Sequence, residues 1–207
     1  MYPLFVNVLL DWLLPPSPEA LLLRTVEPAL LRTLYTPQSV GQHLALTTYA
    51  NPIIRAAIKE NKFHNNRHAT QLLATLLGLW CKENAMPTVI IPIPLSARRQ
   101  RERGYNQVTV VAKRLCSECP FVSVATDILH RTRHTVPQTS LQRTERKQNV
   151  TGVFALKNRD WLHKLTDHHV VILDDVATTG ATLSEARATV APHLPANTRL
   201  TSIALAH

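Results

Sequence analysis

Glycine is scarce in this chain, with five in 207 residues. A chain so poor in glycine places each one where the backbone must bend or come close to something. Cysteine is rarer still. Three thiols, Cys81, Cys116 and Cys119, are too few for a disulfide scaffold and point to a reducing compartment. Cys116 and Cys119 form a lone CxxC with no second pair, so they read as small residues near a helix end. Aromatic residues are 5% of the chain, which is poor for a series of base-stacking platforms. No apolar run is long enough to span a bilayer. The opening "MYPLFVNVLLDWLLPP" lacks a basic n-region and a small-residue cleavage site, so it reads as no signal peptide. Leu4, Phe5, Val8, Leu9 and Trp12 instead fit one face of a short amphipathic helix.

The chain does carry an ordinary globular composition, 45% hydrophobic and 18% charged, with a net charge of +9. That excludes disorder and suits an anionic partner: a polyphosphate, a nucleic acid or an acidic membrane surface. Ser17 and Pro18 form a helix start, and Pro28 should break that helix. Asn51 and Pro52 start another, and residues 65–83 read as a longer helix with a leucine-rich face. Strands are expected at 43–49, 88–94, 121–125, 128–131, 168–175 and 198–206. Helices are expected at 106–118 and from 181. Apolar runs such as "VIIP" and "VVIL" suit strands buried on both faces. The fold class is therefore α/β, a parallel sheet flanked by helices. Ligands in such sheets sit at the carboxyl ends of the strands, where three polar stretches fall: 92–107, 131–149 and 174–182.

The last of these, in "VVILDDVATTGAT" (170–182), puts Asp174 and Asp175 after a buried strand and then a turn of small residues. Ala177, Thr178, Thr179, Gly180, Ala181 and Thr182 would present backbone N–H groups and hydroxyls at a helix N-terminus, which suits a phosphate monoester. There is no Walker A loop and no GxGxxG. The acids would repel phosphate, so they face sugar hydroxyls or a Mg²⁺ carried by the ligand. A phosphate on the turn beside two acids describes a ribose 5-phosphate held at both ends. The alternative is that the two acids are ordinary turn and cap residues.

"PIPLSARRQRERGYNQ" (92–107) holds Arg98, Arg99, Arg101 and Arg103, a strong anion site because arginine meets phosphate oxygens bidentately. A solvated basic face or a nucleic-acid patch competes with that reading, and Tyr105 is the aromatic placed to stack a base. Residues 131–154 add Arg131, Arg133, Arg143, Arg146 and Lys147 in a segment of low apolar content, which suits a loop closing over a ligand. His64/His68 and His130/His134 are spaced i,i+4 but lack the acid or third ligand of a metal site.

"VVILDDVATTGAT" resembles the phosphoribosyl pyrophosphate (PRPP) motif of type I phosphoribosyltransferases. "RERGYNQ", the spaced Arg133, Gln138, Leu141, Arg146, Asn149, Gly152 and Phe154, and "YANPIIRAAIKENKF" are similar to the ComF family, which includes the GntX-like proteins. The resemblance covers about 49–207. It implies a type I phosphoribosyltransferase-like fold and a link to DNA uptake or the use of external DNA. It places Asp174 and Asp175 at the reacting sugar, 177–182 on the 5-phosphate, and Leu95, Ser96, Ala97 and Arg98 on pyrophosphate. Arg99, Arg103, Arg133 and Arg146 would be further anion or loop contacts. The implied ligand is PRPP with Mg²⁺. Residues 1–48 depart from the family pattern. They occupy the place of a four-cysteine zinc module but contain no cysteine, so a small helical N-terminal hood and no zinc are expected. The expected location is the cytoplasm, including the inner face of the membrane, and a homodimer fits the class. The other open reading is a non-catalytic adaptor that meets single-stranded DNA or the DNA-uptake machinery. The sequence names no acceptor.

Overall fold

The computed structural model describes residues 15–132 and 152–207. The amphipathic segment at 4–12 and the loop residues Arg133 and Arg146 lie outside them.

Ser17 caps helix α1 (Pro18–Leu23), its Oγ accepting from the Ala20 N–H at 2.9 Å. Helix α1 stops at Leu23, before Pro28 could break or kink it; Pro28 instead opens a 3₁₀ turn that leads into α2 (Leu31–Leu34). Strands β1 (Gln38–Val40) and β2 (His43–Ala45) follow. The strand expected over 43–49 stops at Ala45. Beyond it Thr47 Oγ1 donates to the Leu34 carbonyl, and the chain turns toward the Asn51 cap of α3 (Pro52–His64). Helix α4 (Arg67–Glu83) leads to β3 (Thr88–Pro92). Then come α5 (Ala97–Arg103), α6 (Gln107–Cys116) and β4 (Val122–Val124). Strands β5 (Leu129–Arg131) and β6 (Phe154–Leu156) precede α7 (Arg159–Leu162), β7 (His169–Val176), α8 (Ala181–Val190) and β8 (Arg199–Ala206).

The main sheet has the order β1-β2-β8-β7-β3-β4, parallel throughout except for the β1–β2 hairpin. Successive side chains of β7 enter two cores. Val171 and Leu173 join the leucines of α4 on one face, while Val170 and Ile172 meet Leu183, Ala186 and Val190 of α8 on the other. That is why "VVIL" is apolar without alternation. Strand β2 pairs with β8, so residues 38–45 are built into the sheet although they fall within the cysteine-free segment 1–48. Strands β5 and β6 stand apart as an antiparallel ribbon. The basic stretch that begins at Arg131 therefore leaves this ribbon and not a parallel strand. Among the described residues no helix is long and apolar enough to cross a membrane.

Candidate functional site

Asp174 and Asp175 lie within the last three residues of β7, past the end of its pairing with β3 at Leu173 and beside β8, at the carboxyl edge of the sheet. Their surroundings differ. Asp175 is only 8% exposed. Its Oδ2 accepts from Gln107 Nε2 at 3.0 Å and lies 3.5 Å from Lys62 Nζ, and its Oδ1 accepts from the Val176 N–H at 2.9 Å. Burial opposes its charge, but Lys62 and these donors outweigh that and hold its carboxyl below the usual value. Asp174 Oδ1 accepts from the Asp175 N–H at 2.9 Å. Burial first, and then the neighbouring Asp175 charge, push the Asp174 carboxyl well above the carboxylate range, against the pull of Arg131. Two adjacent acids thus have opposed titration, the pattern of a functional pair.

The turn after the strand is fixed at both ends. The Ala177 N–H donates to the Ala206 carbonyl at 3.0 Å, and Ala177 O sits 2.7 Å from His207 Nδ1. Thr179 Oγ1 accepts from the Ala181 N–H at 3.4 Å. Gly180 takes a left-handed conformation, φ +71°, at the cap position of α8. A Cβ there would stand 2.6 Å from Cδ2 of His43. Glycine is required on both counts. It also has no side-chain oxygen to occupy the first N–H groups of α8. Asp174, Ala177, Thr178, Gly180, Ala181 and Thr182 line one small hollow, so the structure brings one acid and the turn together.

Beneath the turn lies His43, which sequence reasoning passed over. Its Nε2 is 2.8 Å from Ser184 Oγ, and burial pushes its pKa down. It belongs to a strand far away in sequence, so no local pattern announces it.

The arginine stretch is arranged otherwise. Ser96 caps α5 by accepting from the Arg99 N–H at 3.3 Å, and Leu95, Ala97 and Arg98 surround that cap at the end of β3. Arg98 itself is exposed and pairs with Glu102 at 2.6 Å. Arg103 points the other way: its Nη1 donates to Gln107 Oε1 at 3.0 Å, and Gln107 in turn donates to Asp175. Arg131 Nε donates to the Pro94 carbonyl at 2.9 Å, its guanidinium lies over Phe154, and its charge is felt by Asp174. Lys62, Gln107 and Arg131 are thus members of the site. The first two lay inside stretches that stood out in the sequence, but nothing local gave them a role.

Tyr105 is held by its hydroxyl. Its hydroxyl donates to Asn61 O and accepts from the Asn65 N–H, both at 2.9 Å, pinning the end of α3 to the arginine stretch. His68 Nε2 lies within hydrogen-bond distance of the Leu23 and Val26 carbonyls, a structural role. Cys116 Sγ donates to Val122 O at a helix end, and Cys119 is buried. Among the described residues no group of three His, Cys, Asp or Glu could hold a metal ion. Mg²⁺ arriving with a phosphorylated ligand needs only one or two carboxylates and keeps waters and ligand oxygens for the rest. Asp174 and Asp175 fit that need.

No family model matches the chain. It is 34% identical over 134 residues to competence protein F of Haemophilus influenzae, which covers 62% of this chain and 57% of that protein. It is 31% identical over 162 residues to the DNA utilization protein YhgH of Shigella flexneri, covering 74% of this chain and 67% of that protein. Competence protein ComFC of Bacillus subtilis is 32% identical over 97 residues, 46% of this chain and 35% of that one. A solved hypoxanthine phosphoribosyltransferase of Trypanosoma cruzi aligns with 73% of this chain and 63% of its own at 19% identity and a TM-score of 0.37, a likeness too slight to bear on this chain's chemistry. By its identity to the first two of these relatives, and by the two-thirds of YhgH that it spans, the chain belongs to the ComF family.

Proposed function

We propose that this protein binds PRPP, or a ribose 5-phosphate of that kind, in a phosphoribosyltransferase-like site linked to DNA uptake or the use of external DNA. The carrying observation is the junction of β7 with α8: two adjacent acids, one of them buried against Lys62 and Gln107, then a glycine-bent turn that opens a ten-residue helix. The names of the relatives, competence protein F and DNA utilization protein YhgH, support the DNA-linked half.

In this reading the 177–182 turn takes the 5-phosphate, helped by the helix dipole. Asp174 and Asp175 accept hydrogen bonds from the ribose hydroxyls. If the protein is a transferase, the charge of Asp175 favours the positive character that develops at the sugar carbon as pyrophosphate leaves. Arg103 and Arg131 reach the acids, with Arg99 beside those two arginines, and together they offset the ligand's negative charge. Mg²⁺ enters with the ligand and supplies charge neutralisation at its phosphates. The Leu95–Arg98 cap faces the same strand edge, and the pyrophosphate assigned to it would draw Arg98 away from Glu102.

Calorimetric titration with Mg·PRPP tests this. The expected outcome is a micromolar dissociation constant that weakens by about tenfold or more in Asp175→Asn, since hydrogen bonds to a charged group contribute about 1.5–3 kcal/mol, and weakens less in Thr179→Ala. Absence of heat with the wild-type protein ends the reading.

The exposed Arg98 and Arg101, with a net charge of +9, favour a second reading: an adaptor that meets single-stranded DNA. A salt-sensitive shift with single-stranded DNA that survives loss of both acids supports the adaptor. Pyrophosphate release from PRPP with an acceptor base supports the enzyme.

A further inference from the structure

A groove of about 530 Å³ lies between α4 and α6, a size that suits a small molecule. It shares no lining residue with the hollow at the acid turn. A buried chain of hydrogen bonds stands between the two. Thr70 Oγ1 on the groove wall donates to Asn61 Oδ1 at 2.9 Å, Asn61 Nδ2 donates to Gln107 O at 3.1 Å, and Gln107 donates to Asp175. Thr70, Asn61 and Gln107 are all buried. Two guanidinium groups line the groove and no carboxylate does. Arg67 stands on the first turn of α4, exposed and with no hydrogen bond or ion pair among the described residues. Arg114 comes from α6, where its Nε donates to Gln71 Oε1 and its Nη2 lies 2.7 Å from Glu118 Oε1. Gln71 is one turn beyond Arg67 on the same helix face, so the two arginines are anchored about one turn, roughly 5 Å, apart along the groove. Val110, half-buried one turn from Arg114, adds apolar surface.

We propose that this groove is a second ligand site, for a small aliphatic dicarboxylate, with one carboxylate on Arg67 and the other on Arg114. Arginine meets a carboxylate bidentately, and Arg114 already takes one from Glu118, so the groove's own side chains show which anion suits that end. That internal pair is exposed and spaced i,i+4, hence weak, and a ligand carboxylate can replace Glu118. Arg67 has no such competitor. About three methylenes span the one-turn spacing, each carbon–carbon bond being about 1.5 Å, and Val110 offers them an apolar surface. The site stands on its own side chains and does not depend on what occupies the acid turn.

Calorimetric titration of the full chain with glutarate, at fixed ionic strength, tests this. The wild type should bind one equivalent, and glutaramide, the uncharged analogue, should not bind. Arg67→Ala and Arg114→Ala should each weaken glutarate by about tenfold, the scale of a hydrogen-bonded charge. Glu118→Gln should act in the opposite direction and tighten it by about twofold, because it removes the internal competitor from Arg114. Asp160→Asn makes the same change in net charge on α7, at the opposite face of the sheet, and should leave glutarate unaffected. Wild-type melting temperatures in the variants separate loss of the site from loss of the fold. No glutarate binding by the wild type, equal tightening by Glu118→Gln and Asp160→Asn, or displacement of glutarate by equimolar inorganic phosphate overturns the proposal.

Discussion

The acid turn at 174–182 and the arginine stretch at 92–107 both stand at carboxyl ends of neighbouring strands, β7 and β3, yet the fold builds them differently. Every joint of the acid turn is held: Asp175 by Lys62 and Gln107, Ala177 by Ala206 and His207, and Gly180 by the His43 ring beneath it. The arginine stretch is a seven-residue helix whose side chains divide. Arg98 and Arg101 face water, and Arg103 faces the acids. A site whose polar groups are already oriented loses little on binding, whereas exposed arginines must first be ordered. The difference teaches that charge density in the sequence does not locate the organised half of a site. Burial and long-range contact do.

Two left-handed glycines give the sharpest contrast. Gly180 has His43 within 2.6 Å of its missing Cβ, while Gly104, φ +76°, has nothing within 4 Å. Gly180→Ala should cost about 2–4 kcal/mol from backbone strain plus overpacking. Gly104→Ala should cost about 1 kcal/mol, the backbone strain alone. Urea denaturation of the two variants measures the gap, and equal losses would mean that the two turns are alike after all.

The arginines come next. Arg103→Ala should weaken Mg·PRPP binding by about tenfold, because it removes a charged donor from the Gln107–Asp175 chain. Arg98→Ala should weaken it less, by about two- to threefold, because Arg98 must leave its Glu102 pair and be ordered before it meets the pyrophosphate. No effect at Arg98 would take the pyrophosphate away from the Leu95–Arg98 cap.

The smallest effect concerns stability. A carboxyl whose pKa is raised on folding binds its proton more tightly in the folded state, so it destabilises the fold as pH rises above its unfolded value. Asp174→Asn removes that penalty. It should therefore raise the melting temperature by about 2–4 °C at pH 7, corresponding to about 1 kcal/mol for a chain of this size, and by less at pH 4, while weakening ligand binding. Thermal melts at the two pH values measure the difference. An unchanged melting temperature at both would mean that Asp174 carries no such strain, and the acid pair would then be as relaxed as the arginine helix.

Sequence by itself determined the elements that rest on local chemistry. Proline and asparagine set the start of α3, the uninterrupted "VVIL" marked a strand buried on both faces, and the glycine-bent turn after two acids announced a phosphate-suited helix start. These depend on side chains a few residues apart, which a linear reading can see. The tertiary structure alone decided which neighbours reach the acids. Lys62, Gln107, Arg131 and His43 come from four separate elements; Arg131 was legible only as one of several basic loop residues, and nothing local assigned Lys62, Gln107 or His43 to the acids. It alone tied Tyr105 down through its hydroxyl, to Asn61 and Asn65. It alone split the arginines between water and site, because a helix of that length turns its side chains to every side and only Arg103 meets partners there, Gln107 and the Phe63 ring.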